Sequence, residues 1–190
     1  MKTLISLAVA AVLLVAIGAA QRLIPDPDTT YAPMAAKGAI GQEVRSLPYS
    51  VRVERARTGR ELLLKKPFLD TAEKKTTKGV WVVVDLTATA AKEEVRLGEV
   101  ELRATDGTRY AATDRFQGFD QAELQAGIPA NGQIAFELPA DAVSGAELWI
   151  TNPHYQSIHR RDDALGSAVE IDLALSGAPE PTVTVKEKDL

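Results

Sequence analysis

Residues 79–90, GVWVVVDLTATA, constrain the fold of this chain more than any other segment. Valine and threonine are branched at Cβ, which disfavours helices and favours strands. Because side chains alternate between the two faces of a strand, one face of this segment is wholly apolar. Trp81 and Val83 lie on the opposite face, which is therefore either covered by neighbouring chain or exposed as an apolar contact patch. The residues predicted to point into the core are Val80, Val82, Val84, Leu86 and Ala88.

Shorter segments with the same alternating pattern occur along the rest of the chain. Turns rich in glycine and proline separate them, and the Asp106-Gly107 pair is typical of a tight hairpin because glycine accepts a positive φ. One helical turn is expected over residues 120–126, and Val183 and Val185 could pair as an edge strand. Many short strands, with no long amphipathic helix among them, predict an all-β antiparallel sandwich or barrel. The other expected strands are residues 49–53, 62–64, 100–104, 110–112, 134–138, 146–151 and 169–175.

An apolar segment lies at the N-terminus. Residues 4–20 contain no charge and follow Lys2. A helix of this length rises about 26 Å, slightly less than the hydrocarbon core of a bilayer at about 30 Å, and Leu23 and Ile24 would extend it. The segment predicts export of the chain. One interpretation is an uncleaved transmembrane helix that anchors the chain in the lipid bilayer through residues 4–24.

The other interpretation is a signal peptide that is removed. Gly18, Ala19 and Ala20 are small residues of the kind found before a cleavage site, here in front of Gln21. The remainder of the chain is expected outside the cytoplasm, either held at the cell membrane or secreted. The predicted organisation is a membrane anchor or signal peptide at residues 1–24, a proline-rich spacer at 25–38, a β-sandwich at 39–176 and a charged tail at 177–190.

Three motifs together resemble a known family. They are GVWVVVDLTATA at residues 79–90, VELRATDGTRY at 100–110 and GIPANGQIAFELP at 127–139. Their order is similar to that of the telokin-like, immunoglobulin-like domains of bacterial surface proteins, a group that includes secreted immunoprotective mycobacterial antigens. The resemblance covers about residues 41–150. It implies an immunoglobulin-like sandwich and a non-enzymatic extracytoplasmic module, and it transfers no site residues.

Composition and charge narrow the possible chemistry. The chain has no cysteine, which excludes disulfides, thiolate metal sites, cysteine nucleophiles and a lipidated cysteine. Its net charge of −4, without aromatic residues interleaved among basic ones, predicts no nucleic-acid partner. Residues 37–78 hold 11 basic and 5 acidic residues, whereas residues 79–190 hold 9 basic and 19 acidic ones. This bias predicts a basic surface for anionic lipids or wall polymers, unless strands of both halves interleave and mix their charges.

Both histidines, His154 and His159, lie in one polar segment with Asp162 and Asp163. These four residues could ligate a metal ion, but the five-residue spacing of the histidines fits neither one face of a helix nor one face of a strand. Ser157 with His159 and Asp162 suggests a catalytic triad, but no glycine pattern of a nucleophile elbow surrounds the serine. We therefore predict a solvated loop here, and no catalytic, cofactor-binding or metal-ligating residues in the chain.

These observations predict an interaction module rather than an enzyme. The expected partner is another protein of the bacterial cell envelope, contacted through loops or strand edges. The alternative is a ligand-binding domain for a metal ion, a small molecule or an anionic envelope polymer. Trp81 and Trp149 both lie in strand-like segments, where packing is a more frequent role for tryptophan than ligand contact.

Overall fold

The computed structural model describes residues 2–23, 33–66, 71–151 and 167–186. The chain divides into two units, one N-terminal and helical and one formed by the strands from Pro33 onwards. Helix α1 spans Lys2–Leu23. In the described residues, no helix combines the length and the apolar character needed to cross a membrane.

This finding contradicts the predicted transmembrane anchor through residues 4–24. The uninterrupted apolar run ends before Gln21 and Arg22, so it measures about 26 Å along the helix axis against the roughly 30 Å of a bilayer core. The interpretation as a cleaved signal peptide stays a prediction.

The second unit is a β-sandwich, and its strands in the described residues are β1 (Met34–Ala39), β2 (Glu43–Arg45), β3 (Tyr49–Lys65), β4 (Ala72–Ala90), β5 (Val95–Arg96), β6 (Val100–Arg103), β7 (Arg109–Ala111), β8 (Glu123–Leu124), β9 (Ala130–Leu138), β10 (Glu147–Thr151), β11 (Ser167–Asp172) and β12 (Glu180–Lys186). These strands form two five-stranded sheets and a two-stranded ribbon. Sheet A has the strand order β1-β11-β10-β6-β7, and sheet B has the order β12-β3-β4-β9, with β2 also paired to β3. Strands β5 and β8 form the ribbon.

The main core lies between the two sheets. The predicted inward face of β4 is confirmed, because Val82, Val84, Leu86 and Ala88 are buried in this core with residues of the neighbouring strands, and Val80 is buried as well. One polar contact also crosses the core: the buried Tyr49 hydroxyl in sheet B donates a hydrogen bond of 3.0 Å to the backbone oxygen of Ile150 in sheet A. Burial raises the pKa of the Tyr49 phenol, so it stays a neutral donor.

A second, smaller core covers the outer face of sheet B. Trp81 and Val83, on that face of β4, are fully buried, which resolves the prediction in favour of coverage rather than an exposed patch. The distal part of the β3–β4 hairpin and strand β12 supply the cover. The register between β3 and β4 shifts twice, between Val53 and Arg55 and between Gly59 and Glu61, as at a β-bulge. The other members of the second core are Leu62, Leu64, Phe116, Ala135, Val183 and Val185.

Two edges of the sandwich differ from the predicted antiparallel arrangement. Strand β1 pairs in parallel with β11, and β12 pairs in parallel with β3. Parallel partners are distant in sequence and are not joined by a short turn, so no local sequence motif predicts their pairing. The sandwich therefore also extends beyond its predicted bounds of 39–176, into the assigned spacer at Met34 and into the assigned tail as far as Lys186.

The helical turn expected over residues 120–126 is also wrong in its bounds. A 3₁₀ helix covers Phe119–Gln121, and the extended strand β8 follows at once. Phe119 and Leu124 are both buried in the main core. The extended chain after Gln121 places Leu124 there, while it allows β8 to pair with β5.

Candidate functional site

The histidine-containing candidates cannot be placed. His154, Ser157, His159, Asp162 and Asp163 lie outside the described residues. The flanking residues Thr151 and Ser167 end β10 and begin β11 at the same end of sheet A. In the described ranges, no three histidine or acidic side chains are grouped as a metal site would require.

The basic segment is largely neutralised by carboxylates. Five side chains of its most basic part take part in ion pairs, some with acids of the same segment and some with Asp85 of the second half. The eight basic residues of that part are Arg55, Arg57, Arg60, Lys65, Lys66, Lys74, Lys75 and Lys78. This mixing reduces the basic field that an anionic polymer would meet. The pairs are Arg55 and Arg57 with Asp85, Lys74 with Glu61, and Lys66 and Lys75 with Glu73.

Three exposed apolar side chains lie at one end of the sandwich, which we call the apolar end. Leu47 is 86% exposed in the turn between β2 and β3, and Ile128 is 56% exposed just before β9. Met34 is 72% exposed at the start of β1. No other large apolar side chain is so exposed in the described part of the sandwich.

Strand pairing places Leu47 and Ile128 at the same end of sheet B. Tyr49, two residues after Leu47, pairs with Ala90 at the end of β4. On its other side, Ala90 forms a bridge with Ala126, two residues before Ile128. The two exposed side chains therefore flank the end of β4.

The same end of sheet A carries Met34. The hydrogen bond from Tyr49 to Ile150 aligns the start of β3 with the end of β10. Beside the end of β10, strands β11 and β1 begin together, with Ser167 paired to Met34. Side chains from both sheets thus contribute to the apolar end.

Charged residues of both signs surround the apolar end. Arg45 forms a 2.9 Å ion pair with Glu43, and this contact lowers the pKa of the Glu43 carboxyl. Lys92, Glu93 and Glu94 follow the end of β4 and are exposed. The apolar residues therefore have a mixed, polar rim.

A groove of about 390 Å³ opens on the outer face of sheet B, and we call it the Asp85 groove. Four polar side chains from adjacent strands line it, because Asp85 and Thr87 of β4 lie opposite Gln133 and Asn131 of β9. These residues were not predicted from the sequence, because they meet only through pairing between positions more than 40 residues apart. The remaining lining residues are Glu54, Leu86, Gln117, Phe119, Gly132 and Lys186.

The polar groups of the groove hold one another in place. The Asp85 carboxylate accepts hydrogen bonds from Arg55 Nε at 3.0 Å, from the Arg57 guanidinium at 3.3 Å, and from the Gln133 amide. The Gln133 oxygen in turn accepts a bond of 2.8 Å from the backbone nitrogen of Lys186. A fixed array of this kind is suited to binding without rearrangement.

The outer face of sheet A is charged, and within the part of the chain that the structure describes it has no exposed aromatic side chain. The Arg103 guanidinium lies 3.4 Å from the centre of the Trp149 ring, and it also forms a 2.6 Å ion pair with the buried Glu101. Arg109 approaches the same carboxylate at 3.8 Å. The packing role predicted for Trp149 is confirmed, because Arg103 covers the ring.

One carboxyl on this face has a perturbed pKa. Burial, followed by the nearby charge of Glu170, raises the pKa of Glu147 above its ordinary value. Lys37 moderates this effect, and it forms a 2.6 Å ion pair with Glu170 that raises the pKa of the lysine. Asp172 lies opposite Glu147 in the register of β10 and β11 and adds to the negative charge.

No protein-family model matches the sequence, and no curated protein matches it. Solved bacterial structures are similar in fold. An uncharacterized β-sandwich protein from Clostridium difficile 630 is 13% identical with a TM-score of 0.47, over 74% of this chain and 95% of that one. The yjhA protein from Bacillus subtilis is 12% identical with a TM-score of 0.47, over 71% of this chain and 99% of that one.

A secreted protein from Mycobacterium tuberculosis, MPT63, is 15% identical with a TM-score of 0.46, over 73% of this chain and 97% of that one. The resemblance predicted from the sequence motifs agrees with these matches to bacterial β-sandwich proteins. At such identities the similarity is one of fold alone.

Proposed function

We propose that this chain is an exported, immunoglobulin-like β-sandwich module that binds another protein of the bacterial cell envelope through its apolar end. The observation that carries the proposal is the convergence of Met34, Leu47 and Ile128 from three separate segments at one end. Several large apolar side chains exposed at one end of a domain are a surface of the kind that interaction sites use. Export is supported by the apolar N-terminal segment and the small residues at its end.

The rim favours a protein partner over a lipid surface. A surface that binds anionic lipids is normally rich in lysine and arginine. Here the exposed Lys92 lies beside Glu93 and Glu94, and Arg45 is paired with Glu43. An apolar centre within a rim of mixed charge is the usual anatomy of a protein–protein interface.

Site-specific photocrosslinking in cells tests the proposal. A benzophenone amino acid is placed at Leu47 or at Ile128 of the full chain, and the control position is Thr108. That residue is exposed in the β6–β7 hairpin, at the opposite end of sheet A. We expect one and the same protein to be crosslinked from both test positions and not from the control position.

The partner is then purified, and its affinity is measured for the full chain and for Leu47→Asp and Ile128→Asp. Each substitution should weaken binding by at least about tenfold, because it places a charge in the apolar centre of the interface. Thr108→Asp should bind as the parent does. Crosslinks only to a second copy of this chain, binding only to lipid vesicles, or unchanged affinity of both variants would refute the proposal.

A further inference from the structure

The Asp85 groove has the size and rigidity of a small-molecule site. Its volume of about 390 Å³ lies within the range of about 300–1,000 Å³ that is typical of such pockets. Its central residues stand on two paired strands rather than on loops, and hydrogen bonds among them fix their positions. The groove shares no residue with the apolar end.

The charges of the groove favour an uncharged ligand. Both acids that line it are already paired, Asp85 with Arg55 and Arg57, and Glu54 with Arg52 at 3.5 Å. A cation would have to compete with these arginines for the carboxylates. An anion would in turn meet two carboxylates, against the single ammonium of Lys186 among the lining residues.

The remaining hydrogen-bonding capacity mixes donors with acceptors. The amide oxygen of Asn131 accepts a hydrogen bond of 2.6 Å from the Thr87 hydroxyl. This leaves the NH₂ group of Asn131 for a ligand. Gln117 is exposed at the rim and offers both a donor and an acceptor. The Lys186 ammonium can donate and the Glu54 carboxylate can accept.

A ligand that satisfies such a mixture must itself both donate and accept. Hydroxyl groups do this, and a saccharide presents several of them on a compact frame. Leu86 and Phe119 also border the groove, but their side chains are buried in the main core, so the polar side chains that line it are what a ligand contacts. We propose that the Asp85 groove binds a short neutral saccharide.

Titration of the full chain with neutral disaccharides tests this assignment. The probes are maltose, cellobiose and N,N′-diacetylchitobiose, and the readout is the backbone and side-chain amide signals in ¹H–¹⁵N NMR spectra. We expect at least one of them to cause saturable shifts at Thr87, Gln117, Asn131 and Gln133. Parallel titrations with glucuronate, inorganic phosphate and Ca²⁺ should leave these signals in place.

Substitutions inside and outside the groove test whether the disaccharide binds there. Asn131→Ala and Gln117→Ala should each weaken the disaccharide by about fivefold to tenfold, the effect of one lost hydrogen bond. Gln125→Ala is the matched control, because Gln125 is exposed outside the groove, and its affinity should equal that of the parent. The assignment is overturned if no disaccharide binds, if only glucuronate, phosphate or Ca²⁺ shifts the groove signals, or if both groove variants bind normally.

Discussion

Because Gly132 has no side chain, Phe119 can pack on strand β9 and hold the loop that precedes it. A Cβ atom built at Gly132 would lie 2.1 Å from the Phe119 ring, far inside van der Waals contact. Phe119 therefore packs directly on the backbone of β9, in the main core. Phe116, three residues earlier, packs in the second core. The loop between them is thus attached to both cores, and it contributes Gln117 to the Asp85 groove.

We expect Gly132→Ala to destabilise the sandwich by about 2–3 kcal/mol, because the added methyl group must displace Phe119. Urea unfolding of the full chain, followed by circular dichroism, measures the change. Asn131→Ala, at the neighbouring exposed position, is the matched control and should cost less than about 1 kcal/mol. Equal stability of Gly132→Ala and the parent would show that Phe119 does not pack tightly on Gly132.

Glu147 is expected to lower stability at neutral pH. Its raised pKa means that the folded chain holds the proton more tightly than the unfolded chain, so ionisation above that pKa disfavours folding. The groups that face it are Glu170 and Asp172 of β11, Lys37 of β1 and Arg103 of β6.

Glu147→Gln removes that charge. We expect it to raise the free energy of unfolding by a few tenths of a kcal/mol at about pH 7, a small effect because the carboxyl is only partly buried. The gain should vanish as the pH falls below the ordinary glutamate value of 4.5, where both states are protonated. Urea titrations at about pH 7 and about pH 3.5 measure it, with the exposed Glu94→Gln as control. A larger gain in acid than at neutrality would reverse the assigned sign.

At the scale of elements, strand β12 converts the outer face of sheet B into a second core. Val183 and Val185 are buried, while Thr184 between them is only partly covered. Gly59 on β3 leaves room for Val183, because a Cβ atom there would lie 2.8 Å from the valine. Arg57 also donates a hydrogen bond of 3.4 Å to the backbone oxygen of Thr184. The strand closes the second core over Trp81.

Replacing both valines with alanine, Val183→Ala with Val185→Ala, should destabilise the sandwich by about 2–4 kcal/mol through lost burial and the resulting cavity. In a Trp149→Phe background, acrylamide should quench Trp81 fluorescence more strongly in the double variant than in the parent. Thr184→Ala should behave as the parent does. If quenching of Trp81 is the same in all three, β12 is not what covers the indole.

The strands were predictable where the alternating pattern is strong, and less so where pairing is remote. The inward face of β4 follows from its valines, and the β6–β7 hairpin follows from Asp106-Gly107. Strand β1, with the sequence MAAKGA, has little β-branched character and is held by its parallel partner β11. The Asp85 groove likewise depends on the pairing of β4 with β9, which residues 91–129 separate in sequence.

At the scale of the whole molecule, the N-terminal helix and the sandwich suit different environments. The described side chains of α1 are exposed although most are apolar, and the helix has no polar stripe to face water. The sandwich has its own closed cores and needs nothing from the helix to bury its apolar residues. Removal of the helix after export would therefore leave the sandwich intact.

We expect the exported protein to begin at Gln21. N-terminal sequencing and intact-mass measurement of the protein from medium and membrane fractions will show this directly. Ala20→Arg should block processing, because the position before the cut requires a small residue, whereas Ala10→Leu within the apolar run should not. An intact Met1 in the exported protein would rule out cleavage.

The two outermost strands in sequence, β1 and β12, each run alongside an internal strand in the same direction, and they belong to different sheets. When a chain is pulled by its ends along such a strand, the hydrogen bonds between the paired strands are loaded in shear and all together. They do not break one at a time from the end of the strand. Tension applied to the two ends of the sandwich would thus meet resistance at both β1 and β12 before it reached either core.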